Sequence, residues 1–170
     1  MFIWRKITAE QWLLNVSAQM AGGVLAFPIV QGVSRMYGVT IGGPELKADE
    51  DIFEAGMNEC ISSFILLMGI FMFCCTKIGT IYCLKQPLVA AVIRYCCYYY
   101  GRTGPAMNPM LATTWAFFVA GRVWPNDSAH YIVYWFGSIA GAVIAAITWS
   151  TLDPSGPSGF FAAKNKVKVS

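Results

Sequence analysis

The segment TGPAMNPMLATTWAFFVAG, residues 103–121, opens on a Gly-Pro turn at Gly104-Pro105, passes through Asn108-Pro109 and continues as an apolar run. Asn is a strong helix N-cap, and Pro suits the first helical position because its missing N–H would have had no partner there. A helix is therefore expected to begin at Asn108. From Pro109 to about Ala120 it would rise roughly 18 Å at about 1.5 Å per residue, little more than half the thickness of a hydrocarbon core. Such a half-helix in a membrane sets its unpaired N–H groups and positive dipole end at mid-depth, where they need protein or a water-lined cavity. An end of this kind can line a pore: the Asn108 amide can offer a donor to a water or hydroxyl oxygen, and the dipole disfavours cations. The same residues also fit a short amphipathic helix at the interface, or a turn. Context has to choose between these.

That context is a membrane. The 170 residues are 56% hydrophobic and 12% charged, with a mean hydropathy of +0.53, whereas a soluble domain carries about 25% charged residues. Stretches near 11–32, 57–76 and 130–152 reach the roughly 20 apolar residues that a span requires, and a fourth near 86–101 is shorter. Helices hide backbone amides from lipid within a single segment. The expected fold is thus an all-α membrane protein of four transmembrane helices plus one re-entrant half-helix. Residues 1–152 would form the transmembrane domain and 153–170 a basic, solvent-exposed tail. The acidic, glycine-containing break at 38–56 cannot sit in hydrocarbon. MFIWRKITAEQW lacks the apolar core and cleavage site of a secretory signal, so Met1 is expected to begin the mature protein.

Threading four spans alternately places Arg5, Lys6, Lys77, Lys85, Lys164, Lys166 and Lys168 on one side. Arg35, Lys47, Arg102 and Arg122 fall on the other, together with Glu45, Asp49, Glu50, Asp51 and Glu54. The Lys and Arg bias puts both termini on the cytoplasmic or equivalent side. The lipid bilayer is the expected partner, and nucleic acid is not.

Few residues carry reactive chemistry. Cys60, Cys74, Cys75, Cys83, Cys96 and Cys97 lie in or beside apolar spans, and the adjacent pairs match neither a CxxC motif nor zinc-ligand spacing. No metal or other cofactor is expected. No paired carboxylates, Ser-His or Cys-His set or phosphate-cradling loop supports an enzyme. His130, the only histidine, reads as a boundary residue. Arg94 stands inside VAAVIRYCCYYYG, where snorkelling is favoured over pairing with Glu59 or facing a wet cavity. Tyr98–Tyr100, Trp124, Tyr131, Tyr134 and Trp135 suit an aromatic belt, and Asn126-Asp127-Ser128 matches a glycosylation sequon. AGGVLA at 21–26 returns as AGAVIA at 140–145. That is either a trace of related halves or the ordinary recurrence of small residues where membrane helices pack.

TGPAMNPM, the half-helix after it and the final YIVYWFGSIAGAVIAA resemble the second Asn-Pro-Ala region and last helix of the aquaporin (major intrinsic protein) family. MNECISSFILL looks like that family's fourth helix and NVSAQMAGGVLAF like its third, so the likeness runs from about residue 12 to residue 152. It is strongest to divergent members, the small basic intrinsic proteins of plants and the unorthodox animal aquaporins. The resemblance implies that Asn108 is the central donor of a pore constriction and Pro109 its helix-start partner. Met110 replaces the usual Ala, and Leu111 stands where most aquaporins carry the filter Arg, which removes a fixed cation. Glu59 would be the buried carboxyl that braces the re-entrant loop; a water-facing residue near the acidic loop is the other reading of it.

A full aquaporin has two inverted repeats, and nothing here resembles its first two helices or first Asn-Pro-Ala region. The resemblance implies a passive channel for water or small neutral solutes if a complete pore forms. The alternative is a non-conducting structural subunit of a larger membrane complex. Three explanations of the missing half stand: partner subunits or a homo-oligomer supply it, it was lost together with conduction, or the sequence is a truncated product; the one-sided Lys and Arg distribution opposes an antiparallel homodimer.

Overall fold

A computed structural model describes residues 8–47, 49–76, 80–120 and 128–152. Among these residues every regular element is helical: α1 (Ala9–Tyr37), α2 (Ile52–Cys74), α3 (Tyr82–Tyr99), α4 (Pro109–Ala120) and a final helix α5 (Ser128–Leu152). The basic tail, Trp124 and the sequon residues Asn126 and Asp127 lie outside the described residues.

Local chemistry sets the ends. Thr8 and Gln11 form a reciprocal capping box at the start of α1, with bonds of 3.1 and 3.0 Å. Gly38 ends the helix in the left-handed region at φ 64°. Asp51 caps α2 by accepting from the Glu54 N–H at 2.9 Å. Three helices, α1, α2 and α5, are long and apolar enough to cross a membrane. The expected fourth span at 86–101 is instead Tyr82–Tyr99, an 18-residue helix that carries Lys85 and Arg94 and falls short of the other three in apolar character.

Two pairs of helices run side by side in the same direction. Gly137 and Gly141 bring α5 onto α2: a Cβ on Gly137 would lie 2.9 Å from the Gly56 carbonyl oxygen, and one on Gly141 would strike the Cys60 carbonyl oxygen. This is the small-residue spacing by which membrane helices approach closely. Further along the seam Phe71 stacks on Trp149 at 5.7 Å, with Ala145 buried beside them. α3 joins α2 where Val92 packs on Gly69.

The second pair is α1 with α4. Gly23 faces Thr114, and Phe27 packs against Trp115 and Phe118, both at 5.4 Å between ring centroids. No residue of α1 is buried in this chain, so its far face is uncovered. Within α5, Ile132–Gly137 forms a π-helical stretch. Such wide turns are rare and recur at functional sites; this one ends beside Ser138, which faces α2.

Gly141→Val is expected to cost about 1–3 kcal/mol by forcing α5 off α2. Unfolding of the detergent-solubilised protein should report a lower midpoint for this variant, and none for the outward-facing Ile144→Val control.

Candidate pore-lining site

The chain reaches α4 through a short 3-10 turn, Gly101–Thr103, and two residues with positive φ, Gly104 at 55° and Met107 at 52°. A Cβ on Gly104 would lie 2.5 Å from the Gly43 carbonyl oxygen, so both the conformation and the closeness of the 38–51 loop require glycine there. Met107 tolerates its unfavourable backbone because the neighbouring amides are tied down.

Glu59 ties them. Its side chain is 0% exposed, and its carboxyl oxygens accept from the Ala106 N–H at 3.1 Å, the Met107 N–H at 2.5 Å and the Ser138 hydroxyl at 2.6 Å. One side chain from α2 thus holds the loop that precedes α4 and the wall supplied by α5. Arg94 is exposed on α3, and the Glu59 partners are the loop amides and Ser138. Tyr134 reinforces the loop. It departs from the expectation of a boundary aromatic, being 0% exposed and donating its hydroxyl to the Thr103 carbonyl. His130 likewise is buried, with Nε2 placed 3.2 Å from the Ala112 carbonyl of α4, and Trp135 donates to Thr113 Oγ1 at 3.0 Å. α5 therefore grips one flank of α4 while α1 covers another.

Asn108 sits where these supports converge. Its Oδ1 accepts from the Met110 N–H at 3.0 Å, which is the N-cap bond, and this fixes which end of the amide carries nitrogen. Pro109 has no N–H to satisfy, and the Ala112 N–H returns to the Asn108 carbonyl at 3.2 Å. The Asn108 Nδ2 points away from its own helix and donates to Gln19 Oε1 on α1 at 3.1 Å. An amide nitrogen carries two hydrogens, so the bond to Gln19 leaves one for another acceptor.

The remaining residues of the motif divide by face. Met110 is buried, whereas Leu111 is 40% exposed and lines a cavity of about 440 Å³ with Phe27, Pro44, Cys97 and Trp115. Gln19, Ser138 and Trp115 were not singled out in the sequence. Gln19 had only a weak signal, being one of several amides, with Gln11, Asn15 and Gln31, in the apolar stretch 11–32. Ser138 and Trp115 had none, because each acquires its role only from the element packed opposite.

The major intrinsic protein family model matches residues 1–149. The chain belongs to that family. It is 31% identical to Aquaporin SIP1-1 of Arabidopsis thaliana over 134 residues, which is 79% of this chain and 53% of that protein. Aquaporin SIP1-1 of Oryza sativa subsp. japonica is 30% identical over 146 residues, covering 83% of this chain and 56% of the relative. The chain therefore spans about half the length of the curated relatives it matches. No solved structure matches it. Membership of this family, with three helices long and apolar enough to span, makes the chain a multi-pass integral membrane protein.

Glu59→Gln keeps the size of the side chain but turns an acceptor into an NH2 group that faces donors. The expected loss is about 2–3 kcal/mol of local stability. Hydrogen exchange at the Ala106 and Met107 amides should accelerate by about 30- to 150-fold, while exchange in the middle of α2 stays slow.

Proposed function

We propose that this chain forms one half of an aquaporin-like pore that passes water or small neutral solutes. Four membrane-crossing helices would surround α4, which would enter as a re-entrant half-helix and stop at mid-depth. The observation that carries this reading is the pairing of Asn108 with Gln19. Gln19 lies near the middle of the apolar stretch 11–32, far from either end of α1, so the start of α4 is level with the interior of its neighbour. The 12 residues of α4 then extend about 18 Å toward the Tyr37 end of α1, too short to cross a bilayer.

Asn108, Pro109 and Met110 would form the constriction, with the Asn108 amide handing a donor to the solute and the α4 dipole opposing cations. Glu59 would hold that geometry rigid. Leu111 would leave the outer filter without a fixed cation, and Arg94 would reach the polar surface from α3 rather than line a cavity. Residues 1–152 would constitute the transmembrane unit and 153–170 a basic tail, with both termini on the cytoplasmic side by the Lys and Arg bias. The uncovered face of α1 calls for further membrane helices, from partner subunits or another copy, to close the pore.

That same uncovered face also supports a second reading, in which the chain fills a site in a larger membrane complex without conducting. Osmotic swelling of proteoliposomes separates the two. A conducting assembly gives water flux of low activation energy, and Asn108→Ala is expected to lower it by about tenfold, the equivalent of one hydrogen bond, with membrane insertion unchanged. Absence of flux, together with stable co-purification in a much larger particle, would establish the second reading. Leu111→Arg should reduce proton leak through the same vesicles by restoring a positive charge; an unaltered leak would place the conduction path elsewhere.

A further inference from the structure

Cys74 is the last residue of α2, Cys75 is its C-cap residue and Cys83 stands in the first turn of α3. All three are exposed, whereas Cys96 is buried and Cys60 and Cys97 are half-buried within their helices. Helix register brings the exposed three to one level. Cys96 Sγ donates to the Ser62 carbonyl at 3.6 Å and Val92 packs on Gly69, so α2 and α3 run antiparallel. Counting from the Ser62–Cys96 contact at about 1.5 Å per residue, Cys74 lies about 18 Å along α2 and Cys83 about 20 Å along α3, toward the same end. That end has the marks of a membrane boundary. The 23 residues of α2 amount to about 34 Å of helix, enough to use up the hydrocarbon core by Cys74. Beside Cys83, the Lys85 ammonium lies 5.4 Å over the Tyr82 ring, and an amphipathic ring paired with a snorkelling cation is what an interface favours.

The start of α3 is weakly anchored. No side chain caps Ile81, and Pro87 removes the backbone bond that position 87 would give to the Cys83 carbonyl. The helix has 18 residues, about 27 Å at about 1.5 Å per residue, which is short for a hydrocarbon core of about 30 Å. We propose that Cys74, Cys75 and Cys83 form an S-acylation site that takes long-chain acyl groups from a fatty acyl thioester on the cytoplasmic face, and that the attached chains anchor the α2–α3 end in the adjacent leaflet. Thiols just outside a span are the usual acceptors of this modification. The cysteine sulfur attacks the thioester carbonyl carbon, the new carbon–sulfur bond replaces the one to the carrier thiol, and the cysteine proton leaves on that thiol; nothing is oxidised or reduced. Such a transfer takes one thiol at a time and needs depth and access rather than coordination geometry. Among the described residues no group of three or more His, Cys, Asp or Glu side chains is placed to hold a metal ion. The cytoplasmic placement rests on the Lys and Arg bias of the proposed function, which counts Lys77 and Lys85 on this side; thiols there are kept reduced.

The test feeds alkyne-tagged palmitate to eukaryotic cells that express the full chain. The chain is expected to take up the tag and to release it to neutral hydroxylamine, which cleaves thioesters. The triple variant Cys74→Ser/Cys75→Ser/Cys83→Ser should lose nearly all of the tag, while Cys60→Ser/Cys97→Ser keeps it. An unchanged unfolding midpoint in detergent shows that the triple variant is folded. In the purified acylated protein, hydroxylamine should quicken exchange severalfold at the Leu84 and Lys85 amides, which bond to the Ile81 carbonyl in the first turn of α3. The inference is overturned if the chain takes up no tag, if the folded triple variant keeps it, or if the three thiols are uncovered by reductant alone, which would make them disulfide-bonded. Unchanged Leu84 and Lys85 exchange would overturn the anchoring role. In microsomes sealed with the cytoplasmic face outward, an impermeant maleimide should reach the thiols that hydroxylamine uncovers. Reaction only after detergent would overturn the cytoplasmic placement alone, and none of these outcomes alters the expectation for Asn108-dependent flux.

Discussion

The geometry around α4 depends on one buried carboxyl. Glu59 accepts hydrogen bonds from two consecutive loop amides and from a serine on a different helix. A polar group removed from water must find its partners inside the protein, and three donors that converge on one side chain have few alternatives. The loop can therefore hold a residue such as Met107 at positive φ, and the helix that follows can start in the interior without fraying. The bonds also join α2 to α5, so the loop position is coupled to the glycine-mediated seam at Gly137 and Gly141.

On that foundation α4 is held from two sides by different means. α5 contributes directional contacts, His130 to the Ala112 carbonyl and Trp135 to Thr113. α1 contributes close apolar packing through Gly23 and Phe27, plus a single amide pair, Gln19 with Asn108. Inside a membrane apolar surface has no preference between lipid and protein, so small-residue contact and hydrogen bonds must fix the arrangement. The polar residues of the interior are accordingly few, and among the described residues Ser63 Oγ, Thr103 Oγ1 and the Trp115 and Trp149 indole nitrogens are buried without a hydrogen-bond partner.

The far face of α1 is uncovered in this chain, which spans about half the length of the curated relatives it matches. A pore lined only on the α4 side would leave Asn108 facing lipid across the gap, which is costly for a polar amide. Covering that flank is thus a physical requirement of the channel reading, and a larger assembly meets it equally well in the structural one.

The sequence by itself determined the solvent, the helical class and the start of α4. Apolar runs admit only helices in lipid, and Asn108-Pro109 is a local start signal whose N-cap bond to Met110 needs no distant partner. The family was also legible, because its motifs are local strings. Which residues serve that start was not. Glu59 could be read as a brace or as a water-facing group until α2 was laid against the loop. Tyr134 and His130 looked like boundary residues, since amphipathic rings are ambiguous between interface and interior, and only packing against Thr103 and Ala112 buried them. Gln19, Ser138 and Trp115 gained their roles across 89, 79 and about 70 residues of chain, respectively, counting from Asn108, Glu59 and Gly43. Hydrogen bonds and ring contacts of that span are set by how helices dock, and helix docking depends on all the facing side chains at once, so no single stretch of sequence encodes it.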